Sequence, residues 1–140
     1  MNKKMMIIIF VCQIKNGQII GDPTTDTILI KKFEKATTDD SITIGRDADC
    51  KVMITAAFMT RKHGKIWCTK KGFLIKKEIF NYQDSSTNGT KYLPTGVMQV
   101  KDAIRIHNET VEIQNGSMLL FLGNKEVGKE EGFGVLIQKQ

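Results

Sequence analysis

The feature that most constrains this chain is a period of two that keeps restarting. Met6 to Val11 is an Ile-rich, β-branched run, and Thr27 to Lys32 is a second strand candidate. Ser41 to Ile44 follows, with Ile42 and Ile44 on one face. Lys65 to Thr69 sets Ile66 and Cys68 against Lys65, Trp67 and Thr69. Lys70-Lys71-Gly72 reads as a turn, with Phe73 to Lys77 running back as a hairpin partner. Ala103 to His107, Val111 to Ile113, Met118 to Leu122 and Phe133 to Ile137 complete the set. Asn16-Gly17 and Asn115-Gly116 are hairpin-turn dipeptides, and Pro23 and Pro94 stand in loop-like contexts. No segment carries a sustained helical apolar stripe. Many short strands with Gly and Asn turns predict an all-β sandwich or barrel. Trp67 and Phe73 are expected in the core or on the sheet surface, and Cys12 and Cys68 in the core.

A chain of 140 residues suits one domain, here 1–140, with its central motif region at about 28–137. The stretch 95–110 reads as an extended hairpin or loop and 124–132 as a charged, Gly-punctuated loop. Lys3 and Lys4 before the apolar run Met5 to Cys12 imitate a signal peptide. The run is short, however, no small-residue cleavage site follows it, and Val11 is a poor residue before a lipoprotein cysteine, so a strand is the better reading. No apolar stretch is long enough to span a bilayer. Cys12, Cys50 and Cys68 are odd in number and lack a Cys-x-x-Cys, which argues against a disulfide framework or a zinc site and for a reducing, cytoplasmic location, with a secreted effector as the alternative.

The net charge of +6 attracts anions: nucleic acid, acidic lipid or phosphorylated protein. Arginine occurs only at Arg46, Arg61 and Arg105, which tilts away from base-edge readout of DNA. Catalysis is not expected. His63 and His107, the only histidines, stand in no ligand or triad spacing, and no phosphate-cradling Gly-Lys-Ser/Thr loop is present. Asp39-Asp40 and Glu130-Glu131 are adjacent carboxylates, expected to point apart into solvent. Arg105 and His107 are expected to face solvent, opposite Ile104 and Ile106. No cofactor or metal is implied.

Three motifs remain: Ile44-Gly45-Arg46-Asp47 at a strand end, Thr60-Arg61-Lys62-His63 before a strand, and Asp84-Ser85-Ser86-Thr87-Asn88-Gly89-Thr90 before another. In a sandwich such strand–loop junctions gather at the ends. Their chemistry suits a phosphate ester, which carries nearly two charges and three acceptor oxygens. Arg46 offers a planar donor fork that a lysine cannot imitate, and Thr60 and Thr87 offer short hydroxyl donors. Each piece alone is weak, since Asn88-Gly89 by itself is a turn and Arg46 by itself a solvated charge. All three in order are specific.

In an all-β setting, Gly-Arg, then Ser/Thr-Arg-x-His, then Ser-x-Asn-Gly-Thr resembles the forkhead-associated (FHA) domain family, from about Ile42 to Ile137. The resemblance implies a two-sheet antiparallel β-sandwich, FHA/SMAD-like, with binding loops at one end. It also implies a phosphothreonine-dependent protein–protein interaction module. Its partner would be a Thr-phosphorylated protein, the product of a Ser/Thr kinase, rather than nucleic acid. By resemblance, Arg46 binds the phosphate, and Thr60 and Thr87 reach it. Asn88 holds the peptide backbone, and Arg61 lies beside the peptide. Gly45, His63, Ser86 and Gly89 support the site.

Three departures stand out. Thr60 replaces the usual Ser, Lys91-Tyr92-Leu93 stands where an Asn is frequent, and the stretch Thr95 to Thr110 is longer than the resemblance implies. A phosphate-independent FHA scaffold or oligomer contact is the alternative, with a basic nucleic-acid-binding β domain behind it. The oligomeric state is open.

Overall fold

The computed structural model describes residues 6–22, 24, 28–34, 36–37, 39–75, 77–96 and 99–140. Met5, Pro23 and Thr27, which figure in the sequence expectations, lie outside the described residues, as do the two lysines before Met5.

The strands form two sheets. The larger runs in the order β2 (Gln18–Ile19), β1 (Ile7–Lys15), β12 (Glu131–Lys139), β11 (Met118–Asn124), β8 (Thr90–Leu93), β9 (Ile104–Ile106), with β3 (Leu29–Phe33) also paired to β1. The smaller runs β10 (Thr110–Ile113), β7 (Lys77–Asp84), β6 (Gly64–Lys71), β4 (Ile42–Gly45), β5 (Val52–Met53). Among the described residues all pairs are antiparallel except β4 with β5, which is parallel. The expected β-sandwich is therefore observed, with that one parallel pair at an edge.

Alternation decides what each strand buries. Ile7, Ile9 and Val11 of β1, with Leu119, Phe121, Val135 and Ile137, face the smaller sheet. There they meet Ile42, Ile44, Ile66, Phe80, Tyr82 and Ile113. The intervening residues Phe10, Cys12, Ile14, Leu120, Leu122 and Leu136 form a second apolar cluster with Leu93 and Val100. The larger sheet is thus buried on both faces, which is why β1 and β11 read as continuous apolar runs rather than as an alternation.

That second cluster gives the 95–110 stretch its place. It holds a 3-10 turn (Val100–Asp102) and β9, which pairs with β8. Val100 from the turn joins the outer cluster. Its described residues thus add β9 to the edge of the larger sheet and Val100 to the cluster on its outer face.

Several expectations need correction, among them the turn read at Lys70-Lys71, which belong to β6. The hairpin partner of β6 is Lys77–Asp84 and not Phe73–Lys77, because the register closes at Lys71↔Lys77. Phe73 is left outside both core and sheet, 96% exposed. Asn16-Gly17 does close a hairpin, with φ positive at both residues, as the tight two-residue turn between Lys15 and Gln18 requires. Asn115-Gly116 does not. Only Gly116 has positive φ, and the turn (Ser117 N–H to Gln114 O, 3.1 Å) carries the chain from β10 in one sheet to β11 in the other. Glu130 is buried instead of solvated: its backbone carbonyl accepts the Gly17 N–H (3.0 Å) and its carboxylate packs against Gly17 of the β1–β2 turn, where a Cβ would lie 2.9 Å from Oε1. Among the described residues no helix is long and apolar enough to cross a membrane.

Candidate functional site

Register brings the three motifs together. Ile44 pairs with Gly64 and Gly64 with Asp84, so the residues just beyond them leave the smaller sheet at one end. The ladder continues past the strands: His63 N–H donates to Ile44 O (2.9 Å) and Ser85 N–H to His63 O (2.9 Å).

Gly45 marks where two loops touch. A Cβ there would lie 2.1 Å from the Arg61 carbonyl oxygen, a separation no side chain tolerates. The close approach lets Arg46 N–H donate to Thr60 O (3.2 Å) and Asp47 N–H to Arg61 O (3.1 Å). Arg46 Nε–H donates to Met59 O (3.0 Å), which orients the guanidinium plane while the side chain stays exposed.

The second and third motifs meet at Thr60 and Thr87. Thr60 Oγ1 accepts from the Thr87 N–H at 3.1 Å. Asn88 Nδ2 reaches toward Phe58 O at 3.5 Å, and the Lys125 ammonium donates to Asn88 O. Arg46, Arg61, Thr87 and Asn88 are exposed and Thr60 is half-buried. Gly45, His63, Ser86 and Gly89 are buried beneath them.

His63 joins the loops from below. Its Nδ1 accepts the Thr60 N–H (3.2 Å), which leaves Nε2–H to donate to Gly89 O (3.0 Å). The ring stands edge-on to Phe121, centroids 4.9 Å apart. Burial pushes its pKa below the ordinary value, against the pull of the Gly89 carbonyl and of Asp84, whose Oδ1 lies 3.8 Å away. The imidazole is therefore a neutral strut.

Asp84 organises the third motif, a role the sequence reading did not give it. Its carboxylate accepts from Ser86 Oγ (2.8 Å), Thr90 Oγ1 (2.7 Å), Asn108 N–H (2.9 Å) and Ser86 N–H (3.3 Å). Gly89 N–H in turn donates to Ser86 Oγ (2.8 Å) and Tyr82 OH bonds Thr90 Oγ1 (2.7 Å). Burial alone would raise the Asp84 pKa, but the bonds from Asn108, Thr90 and Ser86 together hold it below the usual carboxylate value.

His107 also belongs here rather than in solvent. Its Nε2–H donates to Ser86 O (3.1 Å), while Arg105 Nη2 lies 3.3 Å from its Nδ1. Ile104, expected inward, is exposed, and only Ile106 is buried. No local pattern announces His107 or Lys125, because each stands just past the end of a strand, β9 or β11, that is distant in sequence from the motif it meets. Asp84 did have a signal, as the first residue of the Asp-Ser-Ser-Thr-Asn-Gly-Thr string.

Residues 42–122, more than half of the chain and all three motifs, match the FHA domain family. The chain belongs to the FHA family. No curated protein matches it in sequence. Solved FHA domains share its fold at low identity. The FHA domain of MEK1 is 13% identical with a TM-score of 0.57, over 96% of this chain and 89% of that one. The N-terminal FHA domain of S. cerevisiae Rad53p, solved with a phosphothreonine peptide, is 17% identical with a TM-score of 0.55, over 95% of this chain and 94% of that one. The yeast Dun1 FHA domain, solved with a doubly phosphorylated peptide derived from Rad53 SCD1, is 16% identical with a TM-score of 0.53, over 99% of this chain and 79% of that one. FHA domains are interaction modules rather than enzymes, and the three motifs of this FHA domain meet on the loops at one end of its sandwich.

Proposed function

We propose that this FHA domain binds phosphothreonine in partner proteins through Arg46, Thr60, Thr87 and Asn88. The observation that carries the reading is the bond from Thr87 N–H to Thr60 Oγ1. It uses the hydroxyl as an acceptor and leaves its proton to donate outward, beside the exposed guanidinium of Arg46 and the hydroxyl of Thr87. A fork of guanidinium N–H groups and two hydroxyls matches three phosphate oxygens. Asn88 stands one residue further, where it holds the peptide backbone, and Arg61 flanks it. The Rad53p and Dun1 relatives bound to phosphothreonine peptides support the same reading.

Charge-assisted bonds of this kind contribute about 1.5–3 kcal/mol each. Two or three of them, less the costs of association, correspond to an affinity of roughly micromolar. The threonine methyl adds about 0.8 kcal/mol over phosphoserine where it is buried. The phosphate is the product of a Ser/Thr kinase acting on the partner, and the domain itself performs no chemistry.

The test is calorimetric titration with a phosphothreonine peptide library and its unphosphorylated twin. Binding confined to the phosphorylated set, abolished in Arg46→Ala and kept in Lys51→Ala, is the expected result. Lys51 serves as the control because its ammonium is already paired with Asp40. Equal binding of both libraries would reject the reading.

A further inference from the structure

The β6–β7 hairpin ends in three consecutive large apolar side chains that touch almost nothing. Phe73 is 96% exposed, Leu74 91% and Ile75 84%. Isolated exposed apolar residues are ordinary on a folded surface, but a contiguous set at the tip of a projection marks a contact surface. The last strand pair is Lys71↔Lys77, so these residues lie beyond the sheet and contribute nothing to its core.

The flanks are cationic. Lys70 and Lys71 precede the tip, and Lys76 and Lys77 follow it in sequence. Lys70, Lys71 and Lys77 are exposed. The segment 70–77 itself holds four lysines and no carboxylate. Of the neighbouring carboxylates, Glu112 is paired with Lys71 and Glu78 with Lys139, so within the segment itself positive charge is in excess.

We propose that this tip docks the domain onto an anionic lipid surface, with Phe73, Leu74 and Ile75 entering the headgroup–acyl boundary and the lysines meeting acidic headgroups. The order Lys-Lys-Gly-Phe-Leu-Ile-Lys-Lys fits that interface from both sides. Apolar side chains enter first, while long basic side chains reach back to the charged layer. The tip backbone keeps its polar groups at the boundary, so the insertion is shallow. A purely apolar protein groove would gain from the three tip residues but not from cations on both flanks, which is why a membrane fits better.

The topology leaves the other end of the domain free. β6 starts at Gly64, beside the phosphopeptide loops, and runs to Lys71. At about 3.3 Å per residue the tip lies roughly 25 Å from those loops. A domain held by its tip presents Arg46, Thr60 and Thr87 away from the bilayer.

The experiment is sedimentation of the full chain with vesicles of phosphatidylcholine alone and of phosphatidylcholine mixed with phosphatidylglycerol. Binding to the mixed vesicles is expected, weakening as salt rises. Phe73→Ser with Leu74→Ser should lower the partition at least about tenfold. Lys70→Gln and Lys77→Gln should each lower it roughly fivefold. Arg46→Ala should sediment like the parent, which separates this surface from the phosphopeptide site. The tip residues are outside the core, so the double serine variant should keep its unfolding transition and its phosphopeptide binding. Three results would overturn the proposal: no sedimentation with mixed vesicles at low salt, equal sedimentation of parent and double serine variant, or tip-dependent self-association without vesicle binding.

Discussion

The Thr60 hydroxyl oxygen accepts the Thr87 N–H at 3.1 Å, so one short side chain links two motif loops and, in the proposed site, keeps its proton for the phosphate. A threonine serves this purpose as well as a serine does, and its methyl restricts the rotamer that aims the proton. Thr60→Ser should therefore stay within about threefold of the parent affinity. Thr60→Val keeps the shape but removes both bonds, and should cost about 1.5–3 kcal/mol of phosphopeptide binding. Fluorescence anisotropy with a labelled phosphothreonine peptide separates the two. A valine variant that binds like the parent would remove Thr60 from the site.

Arg46 spends its Nε–H on Met59 O, which holds the guanidinium plane before any ligand arrives. Arg46→Lys retains the charge but loses the fork and its anchoring bond. Affinity should fall at least about tenfold while the salt dependence persists, because the remaining attraction is that of a point charge. Titrations at two ionic strengths check both halves of the statement.

Asp84 accepts four bonds from three residues, Ser86, Thr90 and Asn108, and is buried beneath the loop that presents Thr87 and Asn88. An amide has one acceptor oxygen, and its NH2 group would face donors. Asp84→Asn should destabilise the domain by about 2–4 kcal/mol, read as a lower urea midpoint at unchanged slope. An unchanged midpoint would mean that the loop does not depend on the carboxylate.

Much of this arrangement was legible in the residues because it is local. The alternation of Ile42, Ile44 and Ile66 announced strands, and Asn16-Gly17 announced a turn whose two residues both take positive φ. The three motifs each stood at a strand end, so a sandwich had to gather them. What could not be read depended on partners far along the chain. Phe73-Leu74-Ile75 has the composition of a strand, yet the pairing of Lys71 with Lys77 leaves it outside. Asn115-Gly116 carries the letters of a hairpin turn, but β10 and β11 belong to different sheets. Glu130 resembled a solvated carboxylate until the β1–β2 turn closed over it. His107 alternated correctly for solvent, and only the fold puts Ser86 O within its reach.

The neutral state of His63 gives a pH signature. Its Nδ1 accepts from Thr60 N–H, so a second ring proton would meet a donor and break the link to the loop that carries Thr60. Burial, the main cause, puts its folded pKa below the ordinary 6.5. As pH falls through 6.5 the unfolded chain takes up a proton that the folded chain refuses. The unfolded state then binds more protons, so stability must rise with pH across the window between the folded pKa and 6.5. Above that window this group adds no slope. Unfolding measured from pH 7.5 downward should therefore show stability falling once pH passes below about 6.5, by at most about 1.4 kcal/mol per pH unit from this residue. With only two histidines in the chain, NMR can assign the titration directly. A His63 ring that titrates above 6.5 in the folded protein would contradict the neutral strut.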